Sequence, residues 1–470
     1  MPIFTVGAAG TTSDSGFNVA GSAMLEANAD FYRTPSSEGN RKKFTISIWV
    51  KLHRAATATQ NIINAQVDGS NYAVLRYENY NFEWIAYAGS QVAYLRTTAL
   101  FKDTNAWYHI VISSDTDQGT ASNRTKMYVN GVQITDFITE NYPGSAAEYK
   151  WNDDVVHSVG AFRYSSTTNN FFHGYIAEVV NIDGQQLDPT SFGEFDSDSG
   201  IWKAKKIEGL TFGSQGFYLD FATRATDPID ASGNGNNFTS SNVLATDYSL
   251  DTPTNNYCTL NSLANVPNTT FYKGNLKAVI SGTHVTNYGT HLFETGKWYF
   301  EALATGGSKY TIGMTNIENA SAYQQVNNTN NIVGYHANSY LKGDAIGLYY
   351  DTIRKNGSVV ASGLHQWVTN DIAMVAIDAD NGKIWFGANG TWDNSGDPAA
   401  GSGNRTTFTT GQLYIPAISN EDCNWEMNFG GGTSFSISSG NSDGNGHGNF
   451  EYAVPNGFYA INTKNLAEFG

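Results

Sequence analysis

A strict alternation of apolar and polar residues is the feature that most limits what this chain can fold into. In the segment FTISIWVKL, apolar side chains occupy the even positions and polar ones the odd positions, with Trp49 the exception: Phe44, Ile46, Ile48, Val50 and Leu52 against Thr45, Ser47 and Lys51. Side chains of a β-strand point alternately to opposite faces of a sheet. The pattern therefore predicts a strand with one face on a core and the other nearer to solvent.

Similar segments recur in both halves of the chain: WYHIVISSD (107–115), KMYVNGVQIT (126–135), GYIAEVVNID (174–183), GKWYFEALA (296–304) and DIAMVAIDADNGKIWFGANG (371–390). Asn130-Gly131 is typical of a two-residue hairpin turn. No long helical periodicity is present, and one short helix is predicted at LDPTSFGEF, with Asp188 as N-cap and Pro189 at its first position. We therefore expect an all-β protein with two antiparallel β-sandwich (jelly-roll-like) domains in tandem.

The domain boundary is predicted near the middle of the chain. The stretch DASGNGNNFTSSN (230–242) is rich in Gly, Asn and Ser, as a connector would be, and the next residues lack alternation. We expect an N-terminal arm at 1–22, a first sandwich at 23–245, a linker at 246–265 and a second sandwich at 266–470. The arm begins with an apolar patch, so we expect it to order on a partner surface, for example by donating a strand.

Composition and charge exclude several classes of function. The formal net charge is −16 at pH 7, and an acidic surface repels nucleic-acid backbones. No run approaches the roughly 18 apolar residues of a membrane-spanning helix. The first residues, MPIFTVGAAG, lack the basic and apolar regions of a signal peptide. We expect no nucleic-acid partner, no membrane insertion and synthesis in a cytoplasm.

The first half resembles the laminin-G-like, concanavalin-A-like sandwich domains of tailed-phage structural proteins. The resemblance lies in three phrases in order: FYRTPSSEGNRKKFTISIWVKL, AWYHIVISSDTDQGTASNRTKMYVNGVQIT and FFHGYIAEVVNIDGQQLDPTSFGEFD. The second half resembles a SPRY-type sandwich in GKWYFEALA, YTIGMTN and NDIAMVAIDADNGKIWFGANGTW. Both folds serve mainly recognition in these families. The tandem implies a virion component: a fibre, or a decoration of head or tail, that adheres to host-surface glycans or other surface polymers.

The resemblance also implies partners. These are other virion proteins and further copies of the chain, with a trimer as the expected state. Two alternatives stay open: a purely structural cement or spacer protein, and, as a minor one, a polysaccharide depolymerase. Because related sandwiches include glucanases, the carboxylates decide between binding and hydrolysis.

No arrangement of carboxylates, histidines or nucleophiles predicts an enzyme. Glycosidases need two carboxylates facing the sugar, but Glu178 and Asp183 fall on opposite faces of a strand, and the group Glu421, Asp422 and Glu426 lacks strand alternation. His109 is predicted to be a hydrogen-bonded interior residue. We expect no cofactor and no metal. Calcium remains an alternative at two acidic loops, Asp115 with Asp117 and Asp153 with Asp154.

Aromatic side chains beside turns are the candidate ligand-binding residues. A planar ring can cover the apolar face of a sugar or anchor an interface. The candidates that stand outside clean alternation are Trp151, Tyr335, His336, Trp367 and Trp392. The alternative is that these rings cap the ends of the sandwiches.

Overall fold

The computed structural model describes the backbone of residues 5–6 and, beyond it, residues 16–26, 28–53, 58–164, 167–223, 227–264, 269–280, 285–307, 309–317, 332–334, 344–421, 424–432 and 434–470. The chain divides into two compact units. The N-terminal unit is Thr12–Thr254, and the C-terminal unit is Asn255–Gly470 together with Met1–Thr11. Both are built almost entirely from antiparallel β-sheet, as the alternation predicts.

Two eight-stranded antiparallel sheets form the N-terminal unit. Sheet A runs in the order Val132–Gln133, Thr125–Val129, Trp107–Asp115, Lys43–Leu52, Gly174–Asp183, Ser22–Leu25 and Tyr248–Ser249, and Phe217–Leu219 also pairs with Gly174–Asp183. Sheet B runs in the order Phe137–Asn141, Gln91–Thr97, Asn81–Ala88, Asn71–Glu78, Gln60–Asp68, Val156–Val159, Asp30–Arg33 and Thr239–Ser241. Two small hairpins join Phe162–Tyr164 to Thr167–Asn169 and Gly193–Phe195 to Trp202–Ala204.

The core of the N-terminal unit lies between its two sheets. Sheet A contributes the even residues of the alternating segment, including Phe44 and Ile46, and sheet B contributes side chains such as Leu75 and Trp84. All four are fully buried. The hairpin turn at Asn130-Gly131 has positive φ at both residues, as a type I′ turn requires. The predicted short helix is a 3-10 turn at Pro189–Ser191, capped by the Asp188 side chain.

The other face of sheet A is also buried, which differs from the sequence prediction. Thr45, Ser47 and Lys51 are at most 1% exposed, because the chain that follows Gly174–Asp183 folds back over this face. We call residues 184–254 the covering segment. Trp202 and Phe192 from this later segment pack on the sheet. The polar side chains stay satisfied by hydrogen bonds that they form beneath the cover. Thr45, for example, donates to the carbonyl of Gln185 at 2.8 Å.

The C-terminal unit contains a nine-stranded and a six-stranded sheet. Sheet C runs in the order Thr269–Tyr272, Lys277–Ile280, Asn424–Asn428, Lys297–Thr305, Ile372–Asp378, Lys383–Ala388 and Thr391–Trp392, with Thr406–Thr407 beside Lys383–Ala388 and Tyr459–Ala460 beside Lys297–Thr305. Sheet D runs in the order Val285–Tyr288, Tyr414–Glu421, Lys309–Asn316, Ala345–Tyr349, Thr352–Lys355 and Ser358–Ser362. A separate core fills the space between these sheets, with Phe300, Ile312 and Trp425 among its members.

Helices are few and short in the described part of the chain. The α-helices are Ala121–Arg124 and Thr463–Phe469, and the remaining 3-10 turns are Ala245–Asp247, Ser262–Ala264 and Asp393–Ser395. None of these helices is long and apolar enough to cross a membrane.

The predicted linker and arm take different forms in the structure. The boundary between the units falls at Thr254 and Asn255, inside the predicted linker 246–265. Tyr248–Ser249 completes sheet A, and Leu260 is part of the C-terminal core, so both ends of this range are packed. Of the predicted arm, Thr5–Val6 pairs in parallel with His291–Leu292, and the rest up to residue 15 lies outside the described residues.

Candidate functional site

The outer face of sheet B carries a cluster of half-buried tyrosines. In the strand NYAVLRYE, Ala73, Leu75 and Tyr77 point into the core. Alternation then directs Tyr72 and Arg76 to the opposite face, where both are half-buried. Unlike the outer face of sheet A, this face presents partly exposed side chains.

Strand register places the side chains of this face in rows. The first row joins Gln66, Tyr72 and Tyr87 across three strands. The rings of Tyr72 and Tyr87 are stacked, with centroids 5.2 Å apart and an angle of 29° between their planes. Phe162, from the small hairpin beside the sheet, meets the Tyr72 ring edge-on at 5.5 Å. Together with Tyr94 in the next row, these rings form what we call the tyrosine face.

A charged row borders the tyrosine face. Glu83 lies between Arg76 and Arg96, and its carboxylate oxygens are 2.8 Å and 3.2 Å from the Nε atoms of these two residues. The Tyr94 hydroxyl also donates to Glu83, at 3.3 Å. Burial raises the pKa of Glu83, whereas Arg76 acts in the opposite direction. Arg76 also pairs with Glu78 at 2.6 Å, so this guanidinium group is held in place within the charged row.

A shallow depression adjoins the tyrosine face at Gln66. It has a volume of about 430 Å³ and is lined by Tyr32, Thr34, Gln66, Val67, Asp154, Val155, Val156 and Arg163. The Arg163 guanidinium forms a bidentate ion pair with Asp30, with both N–O distances at 2.7 Å, and lies over the Tyr32 ring at 4.2 Å. Stacking and ion pairing together fix this side chain at the wall of the depression.

Aromatic rings beside fixed donors and acceptors suit one kind of ligand. A sugar ring has an apolar face that stacks on an aromatic side chain and hydroxyl groups that bond to charged and amide groups. The tyrosine face supplies the rings, and the partly exposed side chains of Arg76 and Arg96 supply the polar partners. The arrangement can bind a polar, ring-containing ligand without chemistry on it.

Two of the aromatic residues predicted from sequence cannot contact a ligand. Trp151 is fully buried in the N-terminal core, where its Nε1 donates to Asn181 at 2.9 Å, and Trp367 is 2% exposed and packs on Trp425. Turn residues beside a tryptophan did not indicate exposure here, because both rings belong to the hydrophobic cores. The prediction is therefore wrong for both.

The remaining predicted site residues are placed differently. Trp392 is half-buried at the end of sheet C, with its ring 6.3 Å from that of Tyr299. Tyr335 and His336 lie outside the described residues. None of the predicted residues belongs to the tyrosine face. The sequence indicates the tyrosine face through tyrosines that recur at outward-facing positions of adjacent strands: Tyr72, Tyr87 and Tyr94.

His109 lies in the interior, as predicted. Its ring is fully buried between Trp49 and Trp202, with centroids 4.7 Å and 5.8 Å away. The Trp202 Nε1 donates to Nδ1 at 2.9 Å, so the proton is on Nε2, which donates to Ser47 at 2.7 Å. Burial lowers the pKa of His109 to about 3. This neutral tautomer joins the covering segment to sheet A.

Three of the carboxylates considered for calcium or hydrolysis are paired with lysines. Asp115 is 2.9 Å from Lys43, and Asp153 is 2.8 Å from Lys150. Glu426 is 2.6 Å from Lys277. Asp422 lies outside the described residues, as does the side chain of Glu421.

Comparison with known proteins supports the lectin-like fold of the N-terminal unit. Residues 26–184 match the Laminin_G_3 family, described as the concanavalin A-like lectin/glucanases superfamily. This range holds the three strands that carry Tyr72, Tyr87 and Tyr94, and the central strands of sheet A. Residues 26–184 of the N-terminal unit therefore have a concanavalin A-like fold. No curated protein sequence matches the chain significantly.

Several solved structures are similar to parts of the chain. One is a protein from Bacteroides ovatus proposed to bind carbohydrate, with 15% identity over 48% of this chain and 60% of that chain, and a TM-score of 0.34. The SPRY domain of human HERC1 is 13% identical over 34% of this chain and 92% of its own, with a TM-score of 0.25. Domain 4 of the GH43 arabinanase AbnA from Geobacillus stearothermophilus, solved with arabinotriose, is 19% identical over 36% of this chain and 73% of its own, with a TM-score of 0.27.

Proposed function

We propose that the protein is a glycan-binding adhesin and that the tyrosine face is its binding surface. The observation that carries this proposal is the asymmetry of the N-terminal unit. The outer face of sheet A is buried under the covering segment, whereas the outer face of sheet B presents Tyr72, Tyr87 and Tyr94 half-buried beside fixed charged groups. Stacked aromatic rings with a polar rim are the usual chemistry of sugar recognition.

The protein is proposed to act without catalysis. Hydrolysis of a glycosidic bond requires an acid and a partner carboxylate about 5–10 Å apart on either side of the sugar. Glu83, in the charged row beside the tyrosine face, is held by two arginines. A carboxylate paired in this way suits a structural role rather than proton transfer to a substrate. The function is therefore binding, and the polysaccharide remains intact.

The setting that we propose is the surface of a tailed-phage virion. The support is the resemblance of the tandem laminin-G-like and SPRY-like phrases to phage structural proteins. On such a particle, other virion proteins and further copies of this chain, in a trimer, would be its partners. Repetition suits weak sites, because linking several copies raises avidity by about 10²–10⁴ without new contacts. Labelling purified particles with an antibody against this chain tests the setting separately from the ligand.

Binding to bacterial surface polysaccharides tests the tyrosine face directly. Purified protein is titrated against immobilised polysaccharides, and Tyr72→Ala is compared with wild type. Loss of one stacking ring is expected to weaken binding about tenfold, equivalent to about 1.4 kcal/mol. Tyr272→Ala is the matched control, because Tyr272 is an exposed tyrosine (42%) in the C-terminal unit, and its affinity should equal that of wild type.

Other outcomes would favour the alternatives. Equal affinity of Tyr72→Ala and wild type, with an unchanged circular dichroism spectrum, would move the site away from the tyrosine face. No binding by wild type to any surface polysaccharide would favour a cement or spacer protein. Release of new reducing ends during incubation would favour a depolymerase.

A further inference from the structure

Three potential metal ligands meet at one end of three adjacent strands of sheet A. Glu26 directly follows Ser22–Leu25, His53 directly follows Lys43–Leu52, and His173 directly precedes Gly174–Asp183. In the strand register Gly174 is opposite both Leu25 and Leu52. The three residues therefore lie side by side at the same end of these strands, although they are far apart in the sequence.

The three side chains converge at this end of the strands. One ligand atom from each of Glu26, His53 and His173 lies within 4.8 Å of the other two. His53 Nδ1 is 3.8 Å from a carboxylate oxygen of Glu26. A tetrahedral ion with ligand bonds of about 2.0–2.1 Å needs ligand atoms roughly 3.3 Å apart, so only small side-chain rotations separate this cluster from a coordination shell.

The backbone around the cluster is held in place. The His53 N–H donates to the carbonyl of His173 at 3.0 Å, and the His173 N–H donates to the Gln60 side chain at 2.9 Å. The His53 side chain is 2% exposed and that of Glu26 17% exposed. One histidine is thus fixed inside the unit, and the other two groups face a half-buried rim from which an ion can enter.

We propose that Glu26, His53 and His173 bind a divalent transition-metal ion of the zinc class. Two imidazole nitrogens and one carboxylate oxygen are a donor set for such ions, whereas calcium prefers six to eight oxygen ligands. Three protein ligands leave at least one position for water or an external group. Because the ligands flank three adjacent strands, the ion would hold the ends of these strands of sheet A together. The spacing of histidines in the sequence gives no such signal, because the ligands meet only through strand pairing.

Metal titration of the untagged full chain, stripped of metal with a chelator, tests this site. Zn²⁺ is titrated calorimetrically, and Co²⁺ is followed by its visible d–d absorption. We expect saturation at one ion per chain, and a rise of about 5 °C in the unfolding temperature at 100-fold excess over the dissociation constant.

Variants assign the ligands. Glu26→Gln and His173→Gln change half-buried side chains and should each weaken binding by at least about 100-fold, since removal of a ligand costs more than the 10–100-fold loss typical of its outer partners. His365→Gln is the control: this histidine lies 2.8 Å from Asp371 in the C-terminal unit, and its loss should leave the affinity unchanged. Circular dichroism confirms folding of each variant.

Two results would overturn the proposal. One is the absence of saturable binding at one ion per chain with either metal. The other is equal affinity of wild type, Glu26→Gln and His173→Gln when all three are folded, which would mean that the ion binds elsewhere. Binding of polysaccharide is measured separately, so failure of this site and failure of the tyrosine face are distinguishable.

Discussion

At the scale of single residues, buried ionisable groups are the most informative feature of the N-terminal unit. Glu178 is 3% exposed on the central strand Gly174–Asp183, at a bulge where its φ is 49°. Its carboxyl accepts a hydrogen bond from the Tyr218 hydroxyl at 2.6 Å. Burial raises the pKa of Glu178 to about 8, so the side chain is protonated at neutral pH in the folded protein.

Replacement of Glu178 by glutamine should stabilise the protein at high pH. The pKa of Glu178 rises from 4.5 to about 8 on folding, so the folded state binds one more proton than the unfolded state between these values. Stability from this group is therefore full below pH 4.5 and falls by about 1.4 kcal/mol per pH unit up to about pH 8. Glu178→Gln removes this loss and keeps an acceptor for Tyr218.

Urea unfolding at two pH values measures this effect. The free energies of unfolding of Glu178→Gln and wild type should be similar at pH 5, and the variant should be more stable by about 4 kcal/mol at pH 8.5. A difference that is the same at both pH values would contradict a raised pKa for Glu178.

At the scale of elements, the segment that covers sheet A explains why polar residues alternate in a buried strand. Lys51 is 1% exposed and lies 2.7 Å from Asp251. The other oxygen of Asp251 accepts from the Trp107 Nε1 at 3.0 Å. Alternation alone predicted that Lys51 lies on the side nearer to solvent. A period of two separates the two faces of a strand, but it does not tell whether a segment distant in the sequence covers the polar face.

Breaking the Lys51–Asp251 pair should strongly destabilise the N-terminal unit. Asp251→Asn keeps an acceptor for Trp107 but leaves a buried ammonium without its counter-charge, which typically costs about 3–5 kcal/mol. Glu208→Gln is the matched control, because its pair with Lys206 is more than two-thirds exposed on both sides and such pairs contribute about 0–1 kcal/mol. The measurement is the free energy of unfolding in urea, and similar values for both variants would mean that the buried pair does not anchor the cover.

The strands themselves were largely predictable, whereas the binding face was not. Lys43–Leu52, Trp107–Asp115 and Gly174–Asp183 match the predicted segments closely, because their apolar period is local information. The tyrosine face depends on which strands are neighbours in sheet B and on their register. Likewise, the burial of Trp151 depends on packing partners that come from other parts of the chain.

At the scale of the whole molecule, each unit has its own hydrophobic core. The N-terminal core draws on residues from Ala23 to Tyr248, and the C-terminal core on residues from Cys258 to Leu466. The two lists share no residue. Tandem sandwiches follow from the sequence, because the motif families change along the chain. The division between Thr254 and Asn255 lies inside the predicted linker 246–265, and parts of that linker, such as Tyr248–Ser249 and Leu260, pack into the units on either side.

A fragment of residues 12–254 should therefore fold without the rest of the chain. It retains both faces of the N-terminal core, the segment that covers sheet A and the Lys51–Asp251 pair. We expect a β-sheet circular dichroism spectrum, cooperative unfolding in urea, and polysaccharide affinity equal to that of the full chain if the tyrosine face binds.

A fragment that ends at residue 245, the limit predicted from sequence, lacks the edge strand Tyr248–Ser249 and leaves Lys51 buried without Asp251. It should be less stable by at least about 3 kcal/mol, the cost of an unpaired buried charge. Equal stability of the two fragments would show that residues 246–254 are a connector, and failure of the longer fragment to fold would show that the N-terminal unit depends on the rest of the chain.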